Sequence, residues 1–165
     1  MHTPTPELIE ETKRRAEAGD AAAQCNLGIF CFFGQGVPRD VDESTKWYRR
    51  AAEQGDAQAQ YNLGIAYDRG HGVSPDSSEA FRWFLAATEG LHAEAQYNVA
   101  VSYGQGNGVA MDWVGAFRRI ILSDRGGYPK AKEVRSMVIQ QMTAQQIQEA
   151  ERRAKAFRPR SGVQR

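Results

Sequence analysis

Hydrophobic and polar positions recur along the chain with a period of 36 residues. The segment Ala-Gln-Cys-Asn-Leu-Gly at residues 23–28 returns in closely similar form at residues 59–64 and 95–100, without insertion or deletion. Self-similarity at a fixed period of this length is typical of a protein built from stacked structural repeats. The chain is therefore expected to contain three copies of one structural unit.

Each copy has the pattern of two helices joined by a glycine-containing loop. In the second copy, residues 57–69 are compatible with a helix, and Gly70 can end that helix in the left-handed conformation. Asp76 then has the character of an N-cap, with Glu79 at capping-box spacing. Each copy therefore predicts a helical hairpin. The equivalent pairs are Asp40 with Glu43 in the first copy and Asp112 with Gly115 in the third, where the box lacks its acid.

Partial units are predicted at both ends of the repeats. Residues 7–18 have the pattern of an isolated second helix, and residues 130–141 take the place of a first helix. Thr143 and Gln146 form a capping box that begins a last helix. Its apolar residues fall on one stripe, and the rest of its surface is polar, as the end of a repeat array requires. The stripe consists of Ile147, Ala150, Ala154 and Phe157.

Three motifs give the chain a family resemblance. They are Ala-Gln-Tyr-Asn-Leu-Gly, Gly-x-Gly-Val, and Trp-Tyr-x-x-Ala-Ala-Glu-Gln-Gly at residues 47–55. Over about residues 20–126, and more weakly at both ends, the chain resembles the Sel1-like repeat family, a relative of the tetratricopeptide repeat with a longer loop between its helices. The resemblance implies an all-α, right-handed α-solenoid, a superhelix of helical hairpins with about nine helices.

The third copy departs from this pattern. Arg119 stands at the position of a tryptophan, Ala100 at the position of a glycine, and Leu91 where Gly55 stands in the first copy. The predicted organisation follows from the repeats. It consists of an N-terminal capping half-repeat at 1–19, Sel1-like repeats at 20–55, 56–91 and 92–127 (the last diverged), a partial repeat with a capping helix at 128–158, and a disordered basic tail at 159–165.

The first helix of each copy has two distinct faces. With the first helices numbered from Ala21, Ala57 and Ala93, positions 4, 7, 8 and 11 cluster on one side and are assigned to the contact within the hairpin. Positions 2, 5, 9 and 12 lie roughly 130° away and are left over. The resemblance implies that first helices line a concave groove. The partner-binding candidates on or beside this leftover face are Phe32, Tyr61, Asn62, Ile65, Tyr97, Asn98 and Val101.

An alternative interpretation of these residues is structural. Tyrosines at this spacing can be core residues between stacked repeats, and the asparagines can have structural roles, since apolar stripes usually belong to a core.

Residue patterns for catalysis and for metal binding are missing from the sequence. The histidines His71 and His92 vary between copies and are predicted to lie on the surface, and neither cysteine spacing nor histidine spacing suits a metal site. The repeat places no activating base beside Cys25 or Cys31. The glycine-rich loops lack the Lys-Ser/Thr of a phosphate-binding loop. We therefore predict no catalytic residue, no cofactor and no metal, and hence no enzyme.

Charge and composition restrict the partners. The 165 residues carry 21 Lys and Arg against 20 Asp and Glu, a balance that argues against a nucleic-acid-binding domain. A mean hydropathy of -0.59, with no long apolar run, predicts no membrane insertion. The N-terminus lacks the apolar segment of a secretory signal, and the two cysteines suit a reducing compartment, so a cytoplasmic protein is expected. The family resemblance implies a bacterial source, and the expected oligomeric state is a monomer.

The predicted function is non-enzymatic. The chain is expected to be an adaptor or scaffold that binds a protein or peptide segment in its concave groove. Two alternatives remain open. One is an enzyme or a small-ligand-binding Sel1-like domain. The other is an adaptor that contacts nucleic acid or a membrane through the basic residues between Arg152 and Arg165.

Overall fold

The computed structural model describes residues 4–90 and 92–158. Within these ranges the regular structure consists of nine α-helices and one short 3-10 helix, Thr88–Gly90, with no strand. The prediction of an all-α chain of about nine helices is thereby confirmed. The helices are α1 (Pro6–Glu17), α2 (Ala21–Phe33), α3 (Val41–Glu53), α4 (Ala57–Arg69), α5 (Ser77–Ala87), α6 (Ala93–Gln105), α7 (Trp113–Arg125), α8 (Pro129–Ile139) and α9 (Ala144–Ala156).

The helices belong to two compact units. The first unit ends at Asp76 and holds α1 to α4, and the second begins at Ser77 and holds α5 to α9. The predicted tail at residues 159–165 and the departure at Leu91 lie outside the described residues, as do residues 1–3.

The helix boundaries follow the predicted capping chemistry. Asp40 Oδ1 accepts a hydrogen bond from the backbone N–H of Glu43 at 2.9 Å, as expected of an N-cap. The Glu43 side chain pairs with Lys46 instead of reaching back to the cap, so the predicted box at this helix is half formed. At α9 both halves of the predicted box are present, between Thr143 and Gln146.

Two glycines shape the loop inside each hairpin. Gly70 ends α4 with φ +70°, and Gly72 follows with φ +66°. A Cβ atom at Gly72 would lie 2.8 Å from the carbonyl oxygen of Val41, at the start of α3. The second glycine therefore lets the loop approach the beginning of an earlier helix more closely than any side chain would allow.

A glutamine near the start of each first helix binds the end of the helix before it. Gln24 Nε2 donates to the carbonyl of Ala16 at 3.0 Å, and Gln60 Nε2 donates to that of Ala52 at 3.2 Å. Carbonyls at helix C-termini lack partners within their own helix. Each of these two carbonyls also accepts a backbone hydrogen bond from the glycine that follows its helix. The repeated glutamine therefore adds a second hydrogen bond, which explains a position that the sequence pattern assigned to the hairpin contact.

In the first unit α2 and α3 cross closely at Gly28. A Cβ atom there would lie 2.7 Å from the ring of Tyr48 and 3.2 Å from the carbonyl oxygen of Ser44. The Ser44 hydroxyl donates to the Gly28 carbonyl at 2.8 Å. The small residue at position 8 thus allows one helix to hydrogen-bond directly to the backbone of the other.

In the second unit the core lies around α7. Phe117 and Ile120 are 0% and 1% exposed, and they share a cluster with Ala150 of α9. Ala154 is also fully buried, and Ile147 packs against the same cluster. The predicted apolar stripe of α9 therefore faces the core, and its role as a cover for the second unit has a structural basis.

Arg119 stands where the other copies have Trp47 and Trp83. It is buried, and its Nη1 donates to Thr88 Oγ1 at 3.1 Å and to Gln96 Oε1 at 2.9 Å. Burial lowers the pKa of the guanidinium below its usual value. The third copy has thus replaced an apolar contact with a buried, hydrogen-bonded cation.

His92 is the N-cap of α6 and was expected at the surface. The structure differs, because His92 is half-buried and its Nδ1 accepts a hydrogen bond from the Ala95 backbone at 3.3 Å. Asp20 and Asp56 cap the equivalent helices α2 and α4. Burial lowers the pKa of His92, and the nearby charge of Glu94 opposes that shift.

The capping hydrogen bond of His92 should make the stability of the protein depend on pH. Only a neutral imidazole can accept at Nδ1, and a lowered pKa in the folded state means that the unfolded chain binds the proton more tightly. The contribution of His92 to stability is therefore present above the ordinary histidine pKa of about 6.5 and is lost as pH falls below it. The aspartate of a His92→Asp variant stays an acceptor both above and below pH 6.5, because its ordinary pKa is about 3.9.

We expect His92→Asp to have a higher melting temperature than the wild-type protein at pH 5, and a smaller difference, or none, at pH 7.5. The expected gain at pH 5 is about 1 kcal/mol of unfolding free energy, the usual worth of an N-cap. A difference between the two proteins that is the same at both pH values would contradict the capping role of His92.

Candidate interaction surface

The first unit contains a cavity of about 380 Å³ between α2, α3 and α4, which we call the N-terminal cavity. Most of its wall is apolar or aromatic, and four of the predicted groove residues line it: Phe32, Tyr61, Asn62 and Ile65. The other lining residues are Ile29, Phe33, Thr45, Tyr48, Gln58, Ala66, Arg69 and His71.

Aromatic contacts organise one side of this cavity. The rings of Phe32 and Phe33 meet edge to face with centroids 5.0 Å apart, and Phe32 also lies 5.4 Å from the His71 ring. Tyr48 is buried, and burial raises the pKa of its phenol to about 12. Phe33 is 55% exposed, so the cavity presents a large apolar side chain to solvent.

Polar groups of the N-terminal cavity are held by local hydrogen bonds. Gln58 Nε2 donates to Asn62 Oδ1 at 3.1 Å along α4. The Thr45 hydroxyl donates to the His71 carbonyl at 2.8 Å, which ties the loop after α4 to α3. His71 Nδ1 is buried without a hydrogen-bond partner among the described residues. His71 thus belongs to the cavity wall and not to a freely variable surface.

The second unit contains a cavity of the same volume, about 380 Å³, between α6, α7 and α8, which we call the C-terminal cavity. Two of the predicted groove residues, Tyr97 and Val101, line this cavity, but Asn98 does not. The remaining lining residues are Ala100, Gly104, Gln105, Trp113, Ala116, Ile120, Val134, Met137, Val138 and Gln141.

The two cavities are built from equivalent repeat positions. Ile29 and Ile65 occupy position 9 of the two first helices beside the N-terminal cavity. Val101 and Met137 occupy the same position beside the C-terminal cavity, each two periods later. The same surface feature therefore recurs because the same residue positions recur.

Gly104 marks the main difference in shape between the cavities. It stands where the N-terminal cavity has Phe32, and the Trp113 ring lies 3.4 Å from the place of a Cβ atom on Gly104. The tryptophan of α7 thus takes up space that a side chain of the first helix takes up in the earlier copy.

Sequence reasoning missed several lining residues. Ile29 was assigned to the leftover face at position 9 but was not among the candidates, and Met137 holds the same position in the helix that follows the three copies, so the periodicity alone could have found it. Phe33 and Arg69 lie at position 13, the last residue of the helix, which belongs to neither of the two predicted faces. His71 lies between the two loop glycines and gave no signal beyond its place in the loop.

Both cysteines are free and buried. Burial raises the pKa of Cys25 to about 12, with a further contribution from Asp56, and burial also raises the pKa of Cys31. Because the thiolate is the reactive form, these side chains have the character of core residues and not of nucleophiles. Across residues 4–90 and 92–158, no group of three or more His, Cys, Asp or Glu side chains could hold a metal ion.

Part of the basic C-terminal segment is paired within its own helix. Arg152 and Arg153 both contact Glu149, at 2.7 Å and 2.6 Å. These arginines lower the pKa of Glu149 to about 2. Within the described portion of the chain, none of the helices has both the length and the apolar character needed to cross a membrane.

A family model for the Sel1 repeat matches residues 21–56, 57–90 and 93–111. The chain belongs to the Sel1 repeat family. The predicted resemblance and the predicted fold of Sel1-like helical hairpins are confirmed. A comparison with curated protein sequences finds no match.

Two solved structures show the same fold. A protective antigen present in uropathogenic Escherichia coli strains, displaying an SLR fold, is 33% identical with a TM-score of 0.83. The match covers 92% of this chain but 32% of the antigen, so the chain spans about one third of that protein's length. A Sel1 repeat protein from Oxalobacter formigenes is 34% identical with a TM-score of 0.73, over 78% of this chain and 96% of that protein.

Proposed function

We propose that this Sel1 repeat protein is a non-enzymatic interaction module that binds a protein or peptide segment through its first helices. The observation that carries the proposal is the recurrence of an apolar cavity at equivalent positions of both units. A cavity of about 380 Å³ is near the lower end of the range for ligand sites, about 300–1,000 Å³, and suits a few side chains of a partner.

Exposed apolar side chains at the cavities support this proposal. Phe33 at the N-terminal cavity is 55% exposed, and Met137 at the C-terminal cavity is 57% exposed. Exposed apolar groups that cluster around a concave surface mark interaction sites more often than scattered ones do. A partner that covers them would remove apolar surface from water, and aromatic walls offer a large contact area at a low entropic cost.

The same proposal extends to an adaptor or scaffold role in a bacterial cytoplasm. Its support is the bacterial source of both similar structures and the burial of both cysteines as free thiols. The buried, weakly acidic thiols also support a role without chemistry.

The test uses a displayed peptide library selected on the wild-type protein, followed by affinity measurement with Tyr61→Ala. Tyr61 lines the N-terminal cavity, and truncation of an aromatic anchor typically costs at least about 2 kcal/mol of binding, or about 30-fold in Kd. Selected peptides should therefore bind Tyr61→Ala at least about 30-fold more weakly.

Tyr67→Ala is the matched control on the same helix. Tyr67 accepts a hydrogen bond from Arg49 and does not line the cavity. We expect peptide affinity to survive in Tyr67→Ala, with helical spectra confirming that both variants fold. Selected peptides that bind Tyr61→Ala and the wild-type protein equally well would refute the assignment of the cavity.

A further inference from the structure

Arg69 gives the N-terminal cavity its charge. It is the last residue of α4 and it is exposed, and among the described residues no other lysine, arginine, aspartate or glutamate lines the cavity. The remaining wall is apolar, aromatic or neutral polar, apart from the imidazole of His71. A bound segment would thus meet one guanidinium beside an apolar surface.

The guanidinium of Arg69 has no acidic partner within the described residues. Arg14 and Arg82 are also exposed, but each forms an ion pair within its own helix, with Glu11 and with Glu79. Arg49, also on the first unit, is occupied by the Tyr67 ring and hydroxyl. Arg69 is therefore available to a ligand without the loss of an existing ion pair.

The C-terminal cavity provides an internal comparison. The residue two periods after Arg69 is Gln141, which lines the C-terminal cavity from the equivalent position. At the preceding helix the same position holds Phe33 in one cavity and Gln105 in the other. The two cavities share apolar position 9 residues but differ at position 13, where only the N-terminal cavity has a cation.

We propose that the N-terminal cavity selects a peptide segment in which an aspartate or glutamate side chain adjoins an apolar anchor. The carboxylate pairs with Arg69, and the anchor contacts Phe33 and Ile65. A guanidinium and a carboxylate form paired, charge-assisted hydrogen bonds, which add geometric selection to the apolar contact. This inference rests on the proposed function, and it adds the chemistry of the partner.

An acidic peptide fits this surface better than a nucleic acid. Binding to a phosphate backbone needs several cations along a track, because affinity comes from the release of many counterions. The N-terminal cavity offers one arginine within a mainly apolar wall. A single carboxylate next to an apolar side chain matches both features.

The experiment uses synthetic decapeptides that are acetylated and amidated, so that no terminal charge contributes. Each carries Phe, Leu or Ile at one position and either Asp or its neutral isostere Asn next to it, within otherwise randomised neutral residues. Binding to the full chain is measured at low and at moderate salt. We expect the wild-type protein to enrich Asp over Asn by about five- to tenfold at low salt, the range of a charge-assisted hydrogen bond at a partly exposed site.

Arg69→Gln gives the N-terminal cavity the residue of the C-terminal cavity and should abolish the preference for Asp. Arg50→Gln is the matched control, because Arg50 is exposed on α3, lies over the Trp47 ring and does not line the cavity. Both variants lower the formal net charge by one, so a general electrostatic effect would change them equally. Arg50→Gln should retain the preference.

Four outcomes would overturn the inference. Equal enrichment of Asp and Asn by the wild-type protein would remove the acidic preference but leave the proposed function in place. If the preference for Asp persisted in Arg69→Gln, a group other than Arg69 would be its source. The proposed function would fail as well if no peptide bound the wild-type protein more tightly than it bound Tyr61→Ala. It would also fail if a single-stranded oligonucleotide bound the wild-type protein in a way that depends on Arg69 and no peptide did.

Discussion

A chain that ends at Met142 is expected to lose the unfolding transition of its second unit and to self-associate. α9 supplies Ala150 and Ala154, which are fully buried, and it covers Phe117 and Ile120. Arg125 of α7 also donates to the Ala154 carbonyl at 2.9 Å, a hydrogen bond that the deletion removes. Terminal repeats with one polar face are what keep repeat proteins from exposing their cores.

Calorimetry measures the loss of the unfolding transition, and sedimentation measures the self-association. Two point substitutions on α9 compare its buried face with its exposed face. Ala150→Arg places an unpaired charge in the core and is expected to cost about 3–5 kcal/mol, whereas Gln148→Arg on the exposed face should cost less than about 0.5 kcal/mol. Removing only residues 159–165 should leave the melting temperature unchanged. Equal stability of the Met142-terminated chain and the full chain would show that α9 is not a cover for the core.

Gly28→Val is expected to destabilise the first unit by about 3 kcal/mol, at the upper end for overpacking of a core. The Cβ alone would overlap the Tyr48 ring, which is buried, and would crowd the Ser44 carbonyl. The two helices must then separate, which also weakens the bond between Ser44 and the Gly28 carbonyl. Chemical denaturation of the wild-type and variant proteins measures the difference.

A matched pair of alanine substitutions separates this clash from a general effect of replacing a helical glycine. Gly28→Ala should destabilise because its Cβ lies 2.7 Å from the Tyr48 ring. At Gly104 the nearest atom, on Trp113, is 3.4 Å from the Cβ position, an ordinary contact. Gly104→Ala should therefore stabilise by about 0.5–1 kcal/mol, since alanine loses less entropy in a helix. Changes of the same sign at both positions would argue against close crossing at Gly28.

Most of the helices could be predicted from the sequence because the repeat shows the same local signals several times. The aspartates at helix starts and the glycines with positive φ recur every 36 residues, so each copy supports the interpretation of the others. The roles of Arg119 and His92 could not be predicted in this way, because each residue occurs in only one copy. The role of Arg119 depends on Thr88 and Gln96, which are distant in sequence, so no local pattern contains it. His92 caps α6 through a local contact, but histidine is not among the residue types preferred at an N-cap.

The candidate surface could be predicted only in part, for a geometric reason. Helical periodicity places Tyr61, Ile65 and Val101 on one face, and the structure finds each of them lining a cavity. Arg69 lies at the end of its helix, where the direction of a side chain depends on the following loop as well as on the period of the helix. The helical period alone therefore does not place Arg69 in the cavity wall.

The glutamine links between helices have an evolutionary consequence. Gln24, Gln60 and Gln96 each donate to a backbone carbonyl eight residues upstream, in the preceding helical segment. The acceptor is a main-chain oxygen, so its chemistry does not depend on which residue occupies that position. Tandem duplication of a whole 36-residue block would carry both halves of the link into the new junction. A gene encoding such a chain can gain or lose whole blocks without the need for a compensating second mutation at this contact.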